Sequence, residues 1–198
     1  IARKGERLVG VTIAPGQAGV ELQELERPGV LGVSLSRLTL RNCIVDPIRD
    51  VIGGLDAEVS SVLKGATRPK SLAFASRAVG AGEATIEETR RLLALREDLH
   101  PVANYRWGKA LIDFFASRSV LAQALSGGDQ EADIAKVFCT ESLQRVLENS
   151  IRLLGGDGFA NLPNPIARIY RDSLSLCQAG TSNDAITSRI GARRDSSC

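Results

Sequence analysis

The sequence contains no methionine, a single histidine and few aromatic residues, which make up 4% of its 198 residues. Its four cysteines are widely spaced, with no C-x-x-C pair, and one histidine does not complete a zinc set with them. We therefore expect reduced thiols and no metal site. No apolar run approaches the ~20 residues of a membrane span, and no charged-then-apolar signal pattern opens the chain, so we expect a cytoplasmic location without membrane contact.

Charge of either sign is nearly balanced. Lys and Arg number 25 against 23 Asp and Glu, and the formal net charge of +2 is spread along the chain. Nucleic-acid binding is not expected, because it requires a basic patch or arm. With 43% hydrophobic residues, the chain is able to bury one substantial core. Because it begins at Ile1 and lacks methionine, we expect a further segment upstream.

Short apolar or alternating runs, separated by proline and glycine, fill the first part of the chain. This alternation is typical of strands joined by turns. Asp46-Pro47 ends the last run, because proline supplies no donor to a strand ladder. The predicted strands are residues 8–13, 20–25 and 33–45.

The apolar period becomes helical after Gly53-Gly54. The glycines at residues 127–128 and 155–156 predict helix ends. The predicted helices are residues 55–63, 67–96, about 111–125, about 131–154 and a last one from about 183. Long helices with short breaks favour an antiparallel bundle. We therefore predict a mainly α fold, a four- or five-helix bundle preceded by a strand-rich segment.

Four motifs follow one another in the last third of the chain. They are IAKVF at 134–138, LLGGDGF at 153–159, NPIARIYRD at 164–172 and AGTS at 179–182. In this order and spacing they resemble the carboxyl-terminal signature of the acyl-CoA dehydrogenase family. Strands that end in IVDP are similar to the close of the family's middle β-domain. The resemblance implies that residues 1–52 end that β-domain and that residues 53–198 form the C-terminal helical bundle.

The family's first helical domain and the start of its β-domain have no counterpart in the chain. The resemblance implies an FAD-dependent oxidoreductase that introduces an α,β double bond into an acyl-CoA or acyl-carrier thioester, in fatty acid, lipid or steroid side-chain degradation. It also implies a homo- or hetero-oligomer and an electron-transfer acceptor.

Gly155, Gly156 and Gly158 are the first candidate cofactor contacts. Without Cβ atoms, the backbone at this turn lets a phosphate approach closely. In the family this segment approaches the FAD of a neighbouring subunit. The alternative is a Schellman-type helix stop, which needs only one glycine. We favour the cofactor interpretation.

Thr181 stands where the resemblance implies a threonine near the flavin, with a hydroxyl able to bond the cofactor. Its alternative role is to cap the last helix, which Ser182 or Asn183 would serve equally well.

Trp107 and Arg96 are the remaining candidate cofactor contacts. Trp107 resembles the aromatic residue that opens a bundle helix, and Arg96 the arginine that ends the preceding one. An insertion at about residues 98–106 separates them, so we expect Arg96 to be displaced. Phe115 stands where the family commonly has a glutamine.

The catalytic carboxylate implied by the resemblance is missing. The residue before Gly-Thr is commonly glutamate, but here it is Ala179, preceded by Gln178. Some relatives carry the base on the bundle helix, at a place that falls near Lys70-Ser71, and residues 59–82 contain no Asp or Glu. We therefore name no catalytic residue.

Other charged residues have simpler interpretations. Glu83, Glu87 and Glu88 sit at helical spacings from arginines, which is typical of a solvated face. Asp184 fits the first turn of the last helix. Arg168, Arg171 and Asp172 are predicted to form a salt-bridged cluster that holds a loop against a helix rather than an anion site.

Our leading hypothesis is a subunit without its own base that works beside a catalytic subunit, with an α2β2 heterotetramer favoured. One alternative is a self-sufficient acyl-CoA or acyl-carrier dehydrogenase whose base lies elsewhere. Another is a non-redox helical scaffold or acyl-thioester-binding module.

Overall fold

The computed structural model describes residues 2–4, 7–53, 59–96, 101–160 and 165–192. Its strands are β1 (Ala2–Lys4), β2 (Arg7–Val11), β3 (Val20–Glu24), β4 (Ser36–Leu40) and β5 (Val51–Ile52). Its helices are α1 (Val59–Leu93), α2 (Pro101–Ser126), α3 (Asp129–Leu154), α4 (Gly156–Phe159), α5 (Ile166–Gln178) and α6 (Asn183–Gly191). The predicted mainly helical fold is confirmed.

The chain divides into two compact units. A strand-bearing unit comprises Ile1–Arg27 and Leu31–Thr67, and a helical unit comprises Pro28–Val30 and Arg68–Cys198. The domain division at residues 52 and 53 remains a prediction.

Two small antiparallel sheets form the strand-bearing unit, one with the order β1-β2-β5 and one of β3 and β4. The β3-β4 register runs from Val20 opposite Leu40 to Glu24 opposite Ser36. Strand β4 is shorter than the predicted strand 33–45, because the left-handed backbone of Asn42, with a φ of 50°, turns the chain away from the ladder. Leu22 and Leu38 pair across the sheet yet remain about half exposed among the described residues.

Helix α1 is longer at its start than the sequence predicts. The break expected between residues 63 and 67 does not occur, and Pro69 lies inside the helix. A glycine such as Gly65 costs a helix about 1 kcal/mol and an interior proline about 3 kcal/mol, so tertiary packing has to outweigh local propensity for one continuous helix to form. Residues 55–58 of the predicted first helix lie outside the described residues. The helix runs on through Gly80 and Gly82 as predicted.

The ends of the other helices follow local signals. Proline opens α2, where a missing N–H is tolerated. At the start of α3, the Gly128 N–H donates to the Glu131 carboxylate at 2.8 Å. Gly155, with a φ of 62°, ends α3. The predicted stops at residues 126–129 and 155–156 are confirmed.

Helix α3 supplies most of the core of the helical unit. Cys139, Leu143 and Leu147 on α3 pack with small residues of α1 and with Ile166 at the start of α5. The close approach of α1 and α2 depends on Gly82, where an added Cβ would lie 3.3 Å from the Phe114 ring. None of the helices in the described part of the chain has the length and hydrophobicity of a membrane span.

Replacing Leu147 with alanine tests the place of α3 in this core. Leu147 is fully buried, so we expect the substitution to lower the free energy of unfolding by about 2–5 kcal/mol. Leu125→Ala is the matched control, because Leu125 is 59% exposed on α2 and should lose little. Urea unfolding measures both. Equal losses would contradict the assigned core.

Candidate functional site

The glycine turn after α3 separates into positions with different physical roles. Gly155 is required by its positive φ. A Cβ at Gly158 would lie 2.9 Å from the Leu154 Cβ and 3.0 Å from the Ile151 backbone, so packing requires this glycine. Gly156 has neither constraint. Apart from its chain neighbours and the backbone of its own helical turn, no atom of the described residues lies within 4 Å of the place that a Cβ would take there. Gly156 therefore leaves an open backbone surface.

Arg96 contacts the glycine turn of its own chain. Both were predicted to contact the cofactor, and this contact between them does not test that prediction. The guanidinium donates to the carbonyls of Leu154 at 2.6 Å and Leu153 at 3.2 Å, and to the Asp157 carboxylate at 3.1 Å. Carbonyls at a helix C-terminus lack intrahelical donors, so a cation is stabilising there. Arg96 thus holds the glycine turn of its own chain.

Trp107 lies in a groove of about 290 Å³ at the junction of α1 and α2. The groove is lined by Arg90, Leu93, Ala94, Ala103, Asn104 and Trp107. The half-buried indole also packs against the core cluster of Ile86, Ala110, Phe114 and Val146. Trp107 therefore supports the fold and presents an aromatic surface in the groove.

The loop from Ala179 to Thr181 connects α5 and α6. Ala179 has an extended backbone, and Gly180 follows with a φ of 72° that favours glycine. A Cβ at Gly180 would lie 3.2 Å from both the Lys70 side chain and the Phe74 ring of α1. The two places from which the resemblance implies a base, at Ala179 and near Lys70-Ser71, are thus neighbours in space.

Lys136 lies beneath this loop and was missed as a site residue from the sequence. It is 1% exposed, and its ammonium donates to the backbone carbonyls of Thr181 and Cys177. The ammonium is 5.7 Å from the centre of the Phe74 ring. Burial lowers the pKa of Lys136. The sequence did contain one signal for this role, because Lys136 occupies a position that the helical period of α3 assigns to the core.

Asp133 of α3 places a buried carboxylate beside Ser71, close to the second position at which the resemblance implies a base. Its Oδ1 accepts from the Ser71 hydroxyl at 2.9 Å, and its Oδ2 accepts from the Arg189 guanidinium. Both oxygens accept a hydrogen bond, so Asp133 joins α1, α3 and α6. The sequence of residues 59–82 gives no sign of this carboxylate, because it comes from the facing helix.

Ser182 caps α6, with its side-chain oxygen accepting from the Ala185 N–H at 3.3 Å. Asp184 lies in the first turn of α6, as predicted. Ser182 therefore fills the capping role that was the alternative interpretation of Thr181. Within the described residues, the half-buried Thr181 hydroxyl has no hydrogen-bond partner.

The other charged residues have structural roles. The Asp172 carboxylate accepts from the Val30 N–H at 2.6 Å, and a Cβ at Gly29 would lie 2.5 Å from the Arg171 carbonyl oxygen. This contact agrees with the predicted loop held against a helix, but the predicted salt-bridged cluster is not found in the described part of the chain. Among the described residues neither Arg168 nor Arg171 forms an ion pair, and Asp172 bonds a backbone N–H instead. Glu88 forms an ion pair with Arg91, whose hydrogen bond lowers the pKa of Glu88.

A family model described as the C-terminal domain of acyl-CoA dehydrogenase matches residues 62–194, most of the chain. The chain belongs to the acyl-CoA dehydrogenase family. No curated protein sequence matches it.

Solved acyl-CoA dehydrogenases share the fold. A glutaryl-CoA dehydrogenase from Mycobacterium smegmatis superposes with a TM-score of 0.85 at 14% identity, covering 100% of this chain and 54% of that one. An acyl-CoA dehydrogenase from Geobacillus kaustophilus gives 0.81 at 18% identity, covering 94% and 52%. A butyryl-CoA dehydrogenase from Megasphaera elsdenii gives 0.78 at 16%, covering 93% and 51%. The chain thus spans about half the length of these structures.

Alanine at Gly158 and at Gly156 distinguishes a packing glycine from an open one. We expect Gly158→Ala to lower the free energy of unfolding by about 1–3 kcal/mol, because its Cβ would overlap Leu154 and Ile151. Gly156→Ala should change it by less than about 1 kcal/mol. Thermal unfolding of both variants measures the difference. A large loss at Gly156 would show that this glycine, too, serves the fold.

Proposed function

We propose that this chain is a subunit of an FAD-dependent acyl-CoA dehydrogenase that lacks its own catalytic base and acts with a catalytic partner. The observation that carries the proposal is the loop at Ala179. The backbone around Gly180 is anchored on both sides, while the side chain at position 179, where the family commonly has its base, is a methyl group.

The reaction removes a proton from the carbon α to a thioester carbonyl, and a bound flavin accepts hydride from the β carbon. Proton removal needs a carboxylate close to the α carbon and shielded from water. The charged side chains that contact the Ala179 loop include Lys70 and Lys136, which are both cations, while the Asp133 carboxylate faces Ser71 and Arg189. This chain is therefore suited to shape the site and unsuited to abstract the proton.

Two features fit an FAD contact. Gly156 leaves backbone that the pyrophosphate of a neighbouring subunit's cofactor is able to approach. The Thr181 hydroxyl has no partner within the described residues and would bond the flavin. Arg96 would act by holding the glycine turn, and Trp107 would offer an aromatic surface in the groove between α1 and α2.

A partner chain is supported by the exposed face of α2. Tyr105, Ile112 and Phe115 are 70%, 65% and 55% exposed. Large apolar side chains exposed on one helix are typical of interaction surfaces. We propose an α2β2 assembly, an acyl-CoA or acyl-carrier thioester from lipid or steroid side-chain degradation as substrate, and an electron-transfer acceptor. The protein would work in the cytoplasm.

Visible absorbance of the purified chain tests this assignment. Alone it should retain little flavin, because the cofactor surface comes from more than one chain. Together with a companion subunit carrying an intact Glu-Gly-Thr, it should be yellow and bleach with acyl-CoA. A chain that is yellow and bleaches alone favours the self-sufficient enzyme. A chain that stays colourless with every companion favours the scaffold.

Restoring the carboxylate tests the missing base itself. In the flavin-loaded assembly, with the companion's own glutamate changed to glutamine, Ala179→Glu should raise the dehydrogenation rate by about 10²-fold or more. Ala179→Gln is the matched control, because it adds the same volume without a proton acceptor. Equal rates for the two variants would contradict the proposal.

A further inference from the structure

The Lys136 ammonium has an unusual set of partners for a buried cation. It is almost fully buried in α3, and buried charges in proteins are normally paired with an opposite charge. It donates instead to two backbone carbonyls, in a short hydrogen bond to Thr181 and a long one of 3.5 Å to Cys177. The neighbouring Asp133 carboxylate bonds Ser71 and Arg189. The position of this lysine is therefore tied to backbone and not to an ion pair.

The two acceptors lie on either side of Ala179 and Gly180. Cys177 belongs to the last turn of α5, where unpaired carbonyls carry partial negative charge that favours a cation. Thr181 lies beyond the left-handed Gly180 and before the cap of α6. One ammonium thus bonds the chain where it enters the loop and where it leaves it.

Helix α1 closes the other side of the loop. The Phe74 ring and the Lys70 stem both lie 3.2 Å from where a Gly180 Cβ would be, and the same ring lies 5.7 Å from the Lys136 ammonium. The loop is therefore held between an aromatic ring of α1 and a buried donor of α3.

We propose that Lys136 is a positioning residue, which fixes the backbone from Ala179 to Thr181 in the shape that the thioester site requires. That Lys136 places the loop follows from these contacts alone. The importance of the loop for dehydrogenation rests on the proposed function. The competing interpretation is that Lys136 merely stabilises the core.

Hydrogen exchange measured at individual amides of the Lys136→Met variant distinguishes a positioning role of Lys136 from a merely stabilising one. The bonded amides that flank the loop are Ala179, which donates to Ser175, and Ala185 and Ile186, which donate to Ser182. Methionine fills the space of the lysine stem and removes the buried charge and the donors. We expect exchange at these amides to accelerate by about tenfold or more, while exchange at Leu147, in the carboxyl-terminal half of α3, changes much less.

Two variants serve as controls. Lys70→Met removes the exposed ammonium of the α1 lysine whose stem lies against the same loop, keeps an apolar stem there, and should leave exchange at Ala179 as in the wild type. Lys136→Arg keeps the charge and the donors and should restore most of the protection that methionine loses.

Three results would overturn the proposal. Unchanged exchange around the loop in Lys136→Met would show that the bonds do not hold it. Equal acceleration at the loop and at Leu147 would make Lys136 a general stabiliser, and so would a Lys136→Met chain that does not fold. No flavin or thioester is needed, so a failure of the proposed function would appear in the absorbance experiment and not here.

Discussion

The buried face of α3 is the constraint on which the helical unit depends. Its carboxyl-terminal half buries mainly apolar residues beside Ser142 and Ser150, and packs through Leu143 and Leu147. Its amino-terminal half buries Asp133, Lys136 and Thr140, and buried polar groups must find partners. Those partners are the Ser71 hydroxyl of α1, the carbonyls at the end of α5, and the Asn183 amide of α6, which donates to Thr140 at 3.0 Å. Helix α3 therefore determines where the loop between α5 and α6 lies.

This arrangement separates the shape of the site from its chemistry. The loop is fixed by the φ of Gly180, by bonds to its backbone and by the cap at Ser182. None of these depends on the side chain at position 179, so a glutamate there is replaceable by alanine without loss of the fold. Under the proposed function, the subunit would lack the base and still present a shaped surface to a partner.

The sequence predicted what short-range signals determine. Glycine and the apolar period placed the ends of α3, and Ser182 and Asp184 the start of α6. It missed what depends on distant contacts. The carbonyls bonded by Lys136 lie 41 and 45 residues away, and those bonded by Arg96 lie 57 and 58 residues away. A lysine or arginine in a sequence is normally read as exposed, and only the fold shows that a backbone carbonyl is its partner.

The central claim is that this polypeptide shapes a thioester site without supplying its base. A structure of the assembled enzyme with a bound acyl-thioester analogue tests it most directly, through the distance from the α carbon to the nearest carboxylate oxygen. The account predicts that the only carboxylate within about 3.2 Å belongs to the partner subunit. A carboxylate of this chain at that distance would contradict it.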